Sequence, residues 1–296
     1  MQNILIIGAG EIGTALAHVI GSRAHIEMWD KDAQRASNGR PLEESVPEAL
    51  VVFICVPSWV VRDLMARIVP ILHPEAVLIS LAKGIEEKTL KTMDAVLEEC
   101  LTAGQKFGVL GGPLLAEELM ADLPGVGALA SKEQATFDVV APLFHGSSIR
   151  LEYTDDPHGV AVAAVLKNVY AVGLGVADGL GWGWNGKGWL AAQALREMKG
   201  IMETLGADRR VVDGSAGAGD FLATAMSPDS RNRETGREIA VSGSCKIPSE
   251  GCHSVPSVLA LAKGQLDRLP FLCALDRIIT KHENANDVFQ DLFAAH

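Results

Sequence analysis

Residues 3–17 read NILIIGAGEIGTALA. Four apolar residues, Ile4, Leu5, Ile6 and Ile7, run into glycine, and Gly8, Gly10 and Gly13 follow in G-x-G-x-x-G spacing before a stretch of helix formers. The glycine pattern alone is weak. Between a buried strand and a helix start it predicts the first strand-turn-helix of a dinucleotide-binding fold. Gly8 allows the tight turn, Gly10 lets backbone approach a pyrophosphate, and Gly13 lets the helix lie close to the strand. The helix N-terminus, with Glu11 and Ile12 in its first turn, then presents N–H groups and its positive end to phosphate.

Asp30 closes the next apolar run, HIEMWD, roughly twenty residues beyond the motif, where an acid accepts hydrogen bonds from the adenosine ribose. A carboxylate there repels the extra phosphate of NADP, so NAD is the expected cofactor. Lys31 and Arg35 stand close by and could restore NADP.

Working outward, the same kind of run recurs in ALVVFICVP from Ala49, AVLISLAKG from Ala76, KFGVLGGP from Lys106, GVGALAS from Gly125 and SIRLEYTDD from Ser148. Helix-like segments, such as 13–20, 60–72 and 89–101, separate them. Short buried strands alternating with helices predict a predominantly parallel sheet covered on both faces. After Asp156 the pattern changes to long Ala-, Leu- and Val-rich segments at helical spacing, for example 160–176, 190–205 and 257–263. The expected organisation is a Rossmann-type α/β domain over 1–155 and an all-α domain over 156–296.

The chain has 296 residues, nearly half of them apolar, and a formal net charge of -11. That is material for two packed domains or one large one. The acidic balance argues against nucleic acid and against an anionic membrane surface as partners. No apolar run reads as long enough to span a bilayer. The five cysteines are scattered without C-x-x-C, which suits a reduced, cytoplasmic setting. Cys245, Cys252 and His253 lack a fourth ligand at a sensible spacing, so no metal is expected. The start, running from Met1 straight into the first strand, carries no basic leader or cleavage site.

Two lysines and an acid stand out. Lys83, in SLAKGIE, follows the end of a buried strand, the edge that faces the ligand crevice in open α/β sheets. Lys167 lies in an otherwise small and apolar helical segment, with Ala163, Ala164, Tyr170 and Ala171 at three and four residues. A lysine there snorkels or pairs, and desolvation makes it a usable proton donor near neutral pH. Taken alone, the segment predicts snorkelling. The candidate partner is Asp220, in GSAGAGDFLATAMSPDSRNR.

These residues carry a resemblance. GAGEIGTALA, ICVPS, SLAKGIE, GGPLLAEEL, LKNVYAVGLGVADGL, GSAGAGDFLATAMSPDSRNR and EGCHSV, in this order, resemble the bacterial NAD(P)-dependent glycerol-3-phosphate dehydrogenases almost end to end. The resemblance implies interconversion of dihydroxyacetone phosphate and sn-glycerol 3-phosphate with a reduced nicotinamide, by a protein often dimeric. It makes Lys167 the general acid and base, sets Lys83 beside substrate and nicotinamide, and gives Asp220 the support of Lys167. It places Gly112, Asn168, Thr224, Ser230, Arg231 and Asn232 along the phosphorylated three-carbon substrate. Pro57, Ala116, Arg231 and Glu250 fall to the cofactor.

The chain departs from the family at three places. Leu114 stands where a Ser or Thr hydroxyl usually faces the ligand. The segment 31–48 is short. Trp182, Trp184 and Trp189 make GWGWNGKGW unusually aromatic, although Asn185 and Lys187 still match. The tryptophans read either as packing or, with Leu114, as a pocket reshaped for another hydroxy-phosphate or a hydroxyacid. A non-catalytic dinucleotide-binding redox sensor is the reading from another class.

Overall fold

The computed structural model describes residues 2–36, 40–247 and 249–295. Residues 37–39, in the short 31–48 segment, lie outside the described residues. The chain divides into two compact units, Met1–Ala161 and Val162–His296.

The first unit alternates strands with helices: β1 (Asn3–Ile7), α1 (Glu11–Ile20), β2 (His25–Trp29), α2 (Leu42–Ser45), β3 (Val51–Ile54), α3 (Val61–Ile68) and β4 (Val77–Ser80). A two-residue ladder, β5 (Ile85–Glu86) with β6 (Lys91–Thr92), precedes α4 (Met93–Cys100). Then come β7 (Lys106–Gly111), α5 (Ala116–Met120), β8 (Gly125–Ala130), α6 (Gln134–Val140) and β9 (Ile149–Thr154). The helix expected from residue 89 begins only at Met93, because Leu90 takes a left-handed φ of 57° and Thr92 is extended at ψ 163°.

All seven apolar runs form one sheet in the order β2-β1-β3-β4-β7-β8-β9. Its pairs are parallel except β7 with β8. The register sets Ile4 beside Val51 and Val51 beside Val77. Ile4, Ile6, Phe53 and Ile79 face one core with Leu16, Val19 and Phe144, whereas Leu5, Ile7, Ile54 and Leu78 face another with Leu64, Met65 and Leu97. Both faces are covered, so the strands read as unbroken apolar runs. The chain leaves β1 towards β2 on one side and resumes at β3 on the other. That reversal makes the C-terminal ends of β1 and β3 the place for a ligand crevice.

The division between the units falls inside α7 (Pro157–Gly179). With a mean hydropathy of 1.8 in its most apolar window, α7 is long and apolar enough to cross a membrane, which corrects the expectation that no run is. The whole of that window is buried in the fold, so the helix is apolar all round because protein surrounds it.

The second unit continues with α8 (Trp184–Thr204), α9 (Asp220–Met226), α10 (Arg231–Ser242), α11 (Glu250–Leu261), α12 (Pro270–Ile279) and α13 (Ala285–Ala294). Gly175 of α7 and Gly236 of α10 set the spacing of their helices. A Cβ on Gly236 would overlap the Val172 carbonyl oxygen, and one on Gly175 the Arg233 carbonyl oxygen. Backbone therefore meets backbone, and the first turn of α10 is held against α7. Trp182 packs edge-on against Phe289 and Phe293 of α13, at 5.5 and 5.9 Å between ring centroids, and Trp189 meets Phe293 at 5.5 Å. These two tryptophans anchor the C-terminal helix. Trp184 is 74% exposed, with the Lys187 ammonium 3.9 Å from its ring centre.

Candidate active site

In the first unit the candidate residues gather at one edge of the sheet. Gly8 follows β1, Asp30 follows β2, Pro57 lies just past β3, Lys83 just past β4, and Gly112 follows β7. These strands run parallel, so all five positions share the C-terminal edge. Ala116 opens α5, and Glu11 and Ile12 open α1.

The glycine loop fits a dinucleotide. Gly8 has φ 105°, and a Cβ there would come within 2.6 Å of the Cys55 carbonyl oxygen at the end of β3. A Cβ on Gly13 would overlap the Gly8 carbonyl oxygen. Gly10 leads into α1 from extended backbone, and a Cβ there would meet nothing within 4 Å, so its open side admits a bulky group close to backbone. Asp30 is tied to this loop: Oδ2 accepts from the Ala9 N–H at 2.8 Å and Oδ1 from the Asp32 N–H at 2.9 Å. The acid therefore stands fixed beside the glycines. Arg35, one of the two nearby cations, pairs with Asp32 at 3.6 Å. Burial pushes the Cys55 thiol up to about 12, so it stays protonated at neutral pH.

Leu114 points into the fold. It is buried in the core with Leu119 and Leu129, where its methyls fill the space left by Gly125 and Gly127. The expected loss of a ligand-facing hydroxyl is thus also the gain of a core side chain.

In the second unit, Lys167 does not snorkel. The residue is 5% exposed, and its Nζ donates to Asp220 Oδ1 at 3.0 Å and to Thr224 Oγ1 at 2.7 Å. Asp220 itself is 1% exposed. The bare glycines before it explain how a carboxylate reaches so deep. Residues Ser215–Gly219 make a π-helical turn, closed by the Gly219 N–H on the Gly214 carbonyl at 3.2 Å. This wide turn runs directly into α9 and delivers Asp220 as its first residue. Thr224, one turn on, falls on the same face.

A second cluster lies beside it. Asn168, next to Lys167 on α7, accepts at Oδ1 from Asn232 Nδ2 at 2.9 Å, and Asn232 Oδ1 accepts from the Gly251 N–H at 2.9 Å. Ser230 caps α10, its hydroxyl accepting from the Arg233 N–H at 3.3 Å. Arg231 opens α10 and is exposed, and Glu250 opens α11.

Two networks escaped the sequence reading. Asp178, at the end of α7, accepts from Lys187 Nζ at 2.7 Å and from Arg233, clamping α7 to α8 and α10. Glu197 of α8 is buried and accepts from Tyr170 Oη at 2.9 Å, Gln193 Nε2 at 3.1 Å and the Phe271 and Leu272 N–H groups at 2.7 and 2.9 Å. It caps the start of α12, and burial raises its pKa above the usual carboxylate range. The signal was present, since Glu197 shares a helical face with Leu190, Ala194 and Ile201. Among the described residues no three His, Cys, Asp or Glu side chains gather where a metal could be held.

Family models describe the same two parts. Residues 38–137 match the NAD-dependent glycerol-3-phosphate dehydrogenase N-terminus and residues 156–290 the C-terminus of that family. A relative from Salinibacter ruber, named glycerol-3-phosphate dehydrogenase (NAD(P)+) 2, is 30% identical over 98% of this chain and 94% of its own. One from Pseudomonas entomophila, named glycerol-3-phosphate dehydrogenase (NAD(P)+), is 30% identical over 99% and 94%. The crystal structure of glycerol-3-phosphate dehydrogenase from Coxiella burnetii superposes with a TM-score of 0.89 at 27% identity, covering 99% of this chain and 98% of that one.

Proposed function

The chain belongs to the NAD-dependent glycerol-3-phosphate dehydrogenase family, and from that premise we propose that it interconverts dihydroxyacetone phosphate and sn-glycerol 3-phosphate, with NAD as the preferred cofactor and Lys167 as the acid and base. The observation that carries this reading is the buried contact of Lys167 with Asp220 and Thr224.

Gly8, Gly10, Gly13 and Asp30 would hold the dinucleotide, with Glu11, Ile12, Pro57 and Ala116 beside them. When bound, its nicotinamide supplies hydride chemistry at the substrate's carbonyl carbon. Lys167 gives its Nζ proton to the carbonyl oxygen as negative charge develops there and takes it back in the reverse direction. A lysine so enclosed cannot swing away. Asp220 and Thr224 fix the ammonium on one bearing, so no reorganisation is needed at the moment of reaction. Lys83 adds positive charge beside the substrate. Ser230, Arg231 and Asn168 recognise the phosphate, for which the guanidinium fork of Arg231 is well shaped. Glu250 and Gly112 complete the list of residues assigned to the ligands.

Asp30 supports the NAD preference. Its two hydrogen bonds fix a carboxylate where NADP would bring a phosphate, and Arg35 is already engaged by Asp32. Leu114, packed in the core, lends no support to a changed substrate. A reducing, cytoplasmic setting suits five free cysteines, and the homodimer is part of the same proposal. The test is oxidation of NADH and NADPH by dihydroxyacetone phosphate, with other hydroxy-phosphate precursors and ketoacids alongside. Preference for another substrate would overturn the assignment.

A further inference from the structure

We propose that Cys245 and Cys252 form a site of reversible oxidation, in which a peroxide attacks Cys245 and Cys252 then closes a disulfide. Neither thiol is among the residues assigned to substrate or cofactor.

The fold brings the two thiols together from different elements. Cys245 stands in the loop after α10, and Cys252 in the first turn of α11. The loop is pinned on both sides. Gly243 ends α10 with a left-handed φ of 70° and turns the chain back. Glu238 Oε2 then accepts from the Lys246 and Ile247 N–H groups at 3.1 and 2.9 Å. Thr235 Oγ1 donates to the Ile247 carbonyl oxygen at 3.2 Å. Both anchors belong to α10. On the α11 side, Ser249 Oγ accepts from the Cys252 N–H at 3.4 Å. A Cβ on Gly251 would overlap the Asn168 carbonyl oxygen, so this turn rests backbone to backbone on α7. Between these anchors the Cys252 thiol is hydrogen-bonded to Cys245, and Cys245 Sγ donates to the Ile247 carbonyl oxygen at 3.4 Å. Two sulfurs in such contact need only a short approach to bond.

The two cysteines are unequal, and the inequality sets the order of events. Cys245 is exposed, whereas Cys252 is 8% exposed. A dissolved oxidant therefore reaches Cys245 first. Burial, and then Cys245 beside it, hold the Cys252 thiol well above the ordinary range, so Cys252 waits as a shielded, protonated thiol. Cys55, Cys100 and Cys273 are partly buried, and burial pushes their thiols up as well.

The chemistry balances with hydrogen peroxide as the oxidant. Its O–O bond breaks as Cys245 sulfur takes one oxygen, giving a sulfenic acid, and the other oxygen leaves as water. Cys252 sulfur then attacks Cys245 sulfur. The S–S bond forms, the S–O bond breaks, and the departing hydroxide takes the Cys252 proton as a second water. The two sulfurs lose two electrons in all, and the peroxide gains them. The proton taken up by the leaving group means that Cys252 need not ionise beforehand. Thiol reductants reopen the bond by exchange, as suits a disulfide in a reducing setting.

The test treats the reduced protein with hydrogen peroxide, alkylates it without reductant and maps the cysteines by mass spectrometry. The wild type is expected to lose two thiols together. They should appear as a Cys245–Cys252 cross-link within one chain, opened by dithiothreitol, with Cys55, Cys100 and Cys273 still alkylated. In Cys252→Ser the sulfenic acid has no partner, so labelling of Cys245 by dimedone is expected to rise about tenfold over the wild type. In Cys245→Ser, Cys252 is expected to stay a thiol. Dimedone labelling of Cys245 in the wild type as heavy as in C252S, with no cross-link, would overturn the pair. So would a Cys245 link between two chains, oxidation of Cys55, Cys100 or Cys273 ahead of Cys245, or survival of all five thiols under peroxide that consumes free cysteine. The wild-type map is read without either variant, so a folding defect in one leaves the result intact. Mass and not turnover is measured, so the outcome is independent of which substrate the protein reduces.

Discussion

Lys167 on α7 and Asp220 on α9 form an ion pair with Nζ 3.0 Å from Oδ1, both side chains almost wholly enclosed by the helical unit. Two charges taken out of water tolerate each other's company far better than either tolerates solitude. Removing one partner of such a pair costs about 3–5 kcal/mol. Lys167→Met and Asp220→Leu are each expected to lower the unfolding free energy by about 3 kcal/mol, and the double variant by much less than the sum. Denaturant unfolding of the four proteins measures this coupling. Additive losses would show that the pair does not act as a unit.

A pH dependence follows from Asp178. Partial burial works to raise its pKa, but hydrogen bonds from Lys187 and Arg233 outweigh that and hold the carboxyl below the ordinary 3.8. A folded-state pKa below the unfolded one contributes stability above the unfolded value, and that contribution is lost as the pH falls through the folded value. Asp178→Asn is therefore expected to cost about 1–2 kcal/mol at pH 7, and to cost progressively less below about pH 4, in chemical unfolding followed from pH 7 to pH 3. A loss independent of pH would assign the clamp to shape and not to charge.

The proposed NAD preference is assigned to Asp30. Replacing it with serine keeps an acceptor near the Ala9 N–H but removes the charge that opposes the NADP phosphate. The ratio of kcat/KM for NADPH over NADH is expected to rise about tenfold or more, read from initial rates with each cofactor. An unchanged ratio would shift the discrimination to Lys31 and Arg35.

Leu114 supplies a prediction of the opposite kind. Its side chain belongs to the sheet core, so Leu114→Ser leaves a cavity and is expected to lower stability by about 2–4 kcal/mol. Substrate preference should stay as in the wild type. A changed preference at unchanged stability would return Leu114 to the ligand.

The division between what was legible in the chain and what was not has physical causes. The seven strands of the sheet could be read off because the central ones, covered on both faces, carry unbroken apolar runs, as in Ile4–Ile7 and Val51–Ile54. The β5–β6 ladder could not, since two residues a side carry no periodicity and the left-handed Leu90 is not glycine. Lys167 announced itself as the one cation in an apolar helix, but its burial needed Asp220 from 53 positions away, delivered by a π-helical turn that propensity does not foretell. Thr224, Asn168 and Asn232 were reached only through the resemblance. The core packing of Leu114 was not legible because a residue's neighbours in sequence do not say which way it points, and α7 was misjudged because its length and hydropathy suit a bilayer as well as a protein core.

The central claim is that Lys167 moves the proton in a dihydroxyacetone phosphate reductase. The most direct measurement compares wild type with Lys167→Met in dihydroxyacetone phosphate-dependent NADH oxidation, with NADH binding followed separately by its fluorescence. Rapid oxidation by the wild type, a kcat lower by about a thousandfold in the variant and an unchanged NADH affinity are the predicted result. Near-normal turnover by a folded, NADH-binding Lys167→Met protein would contradict it.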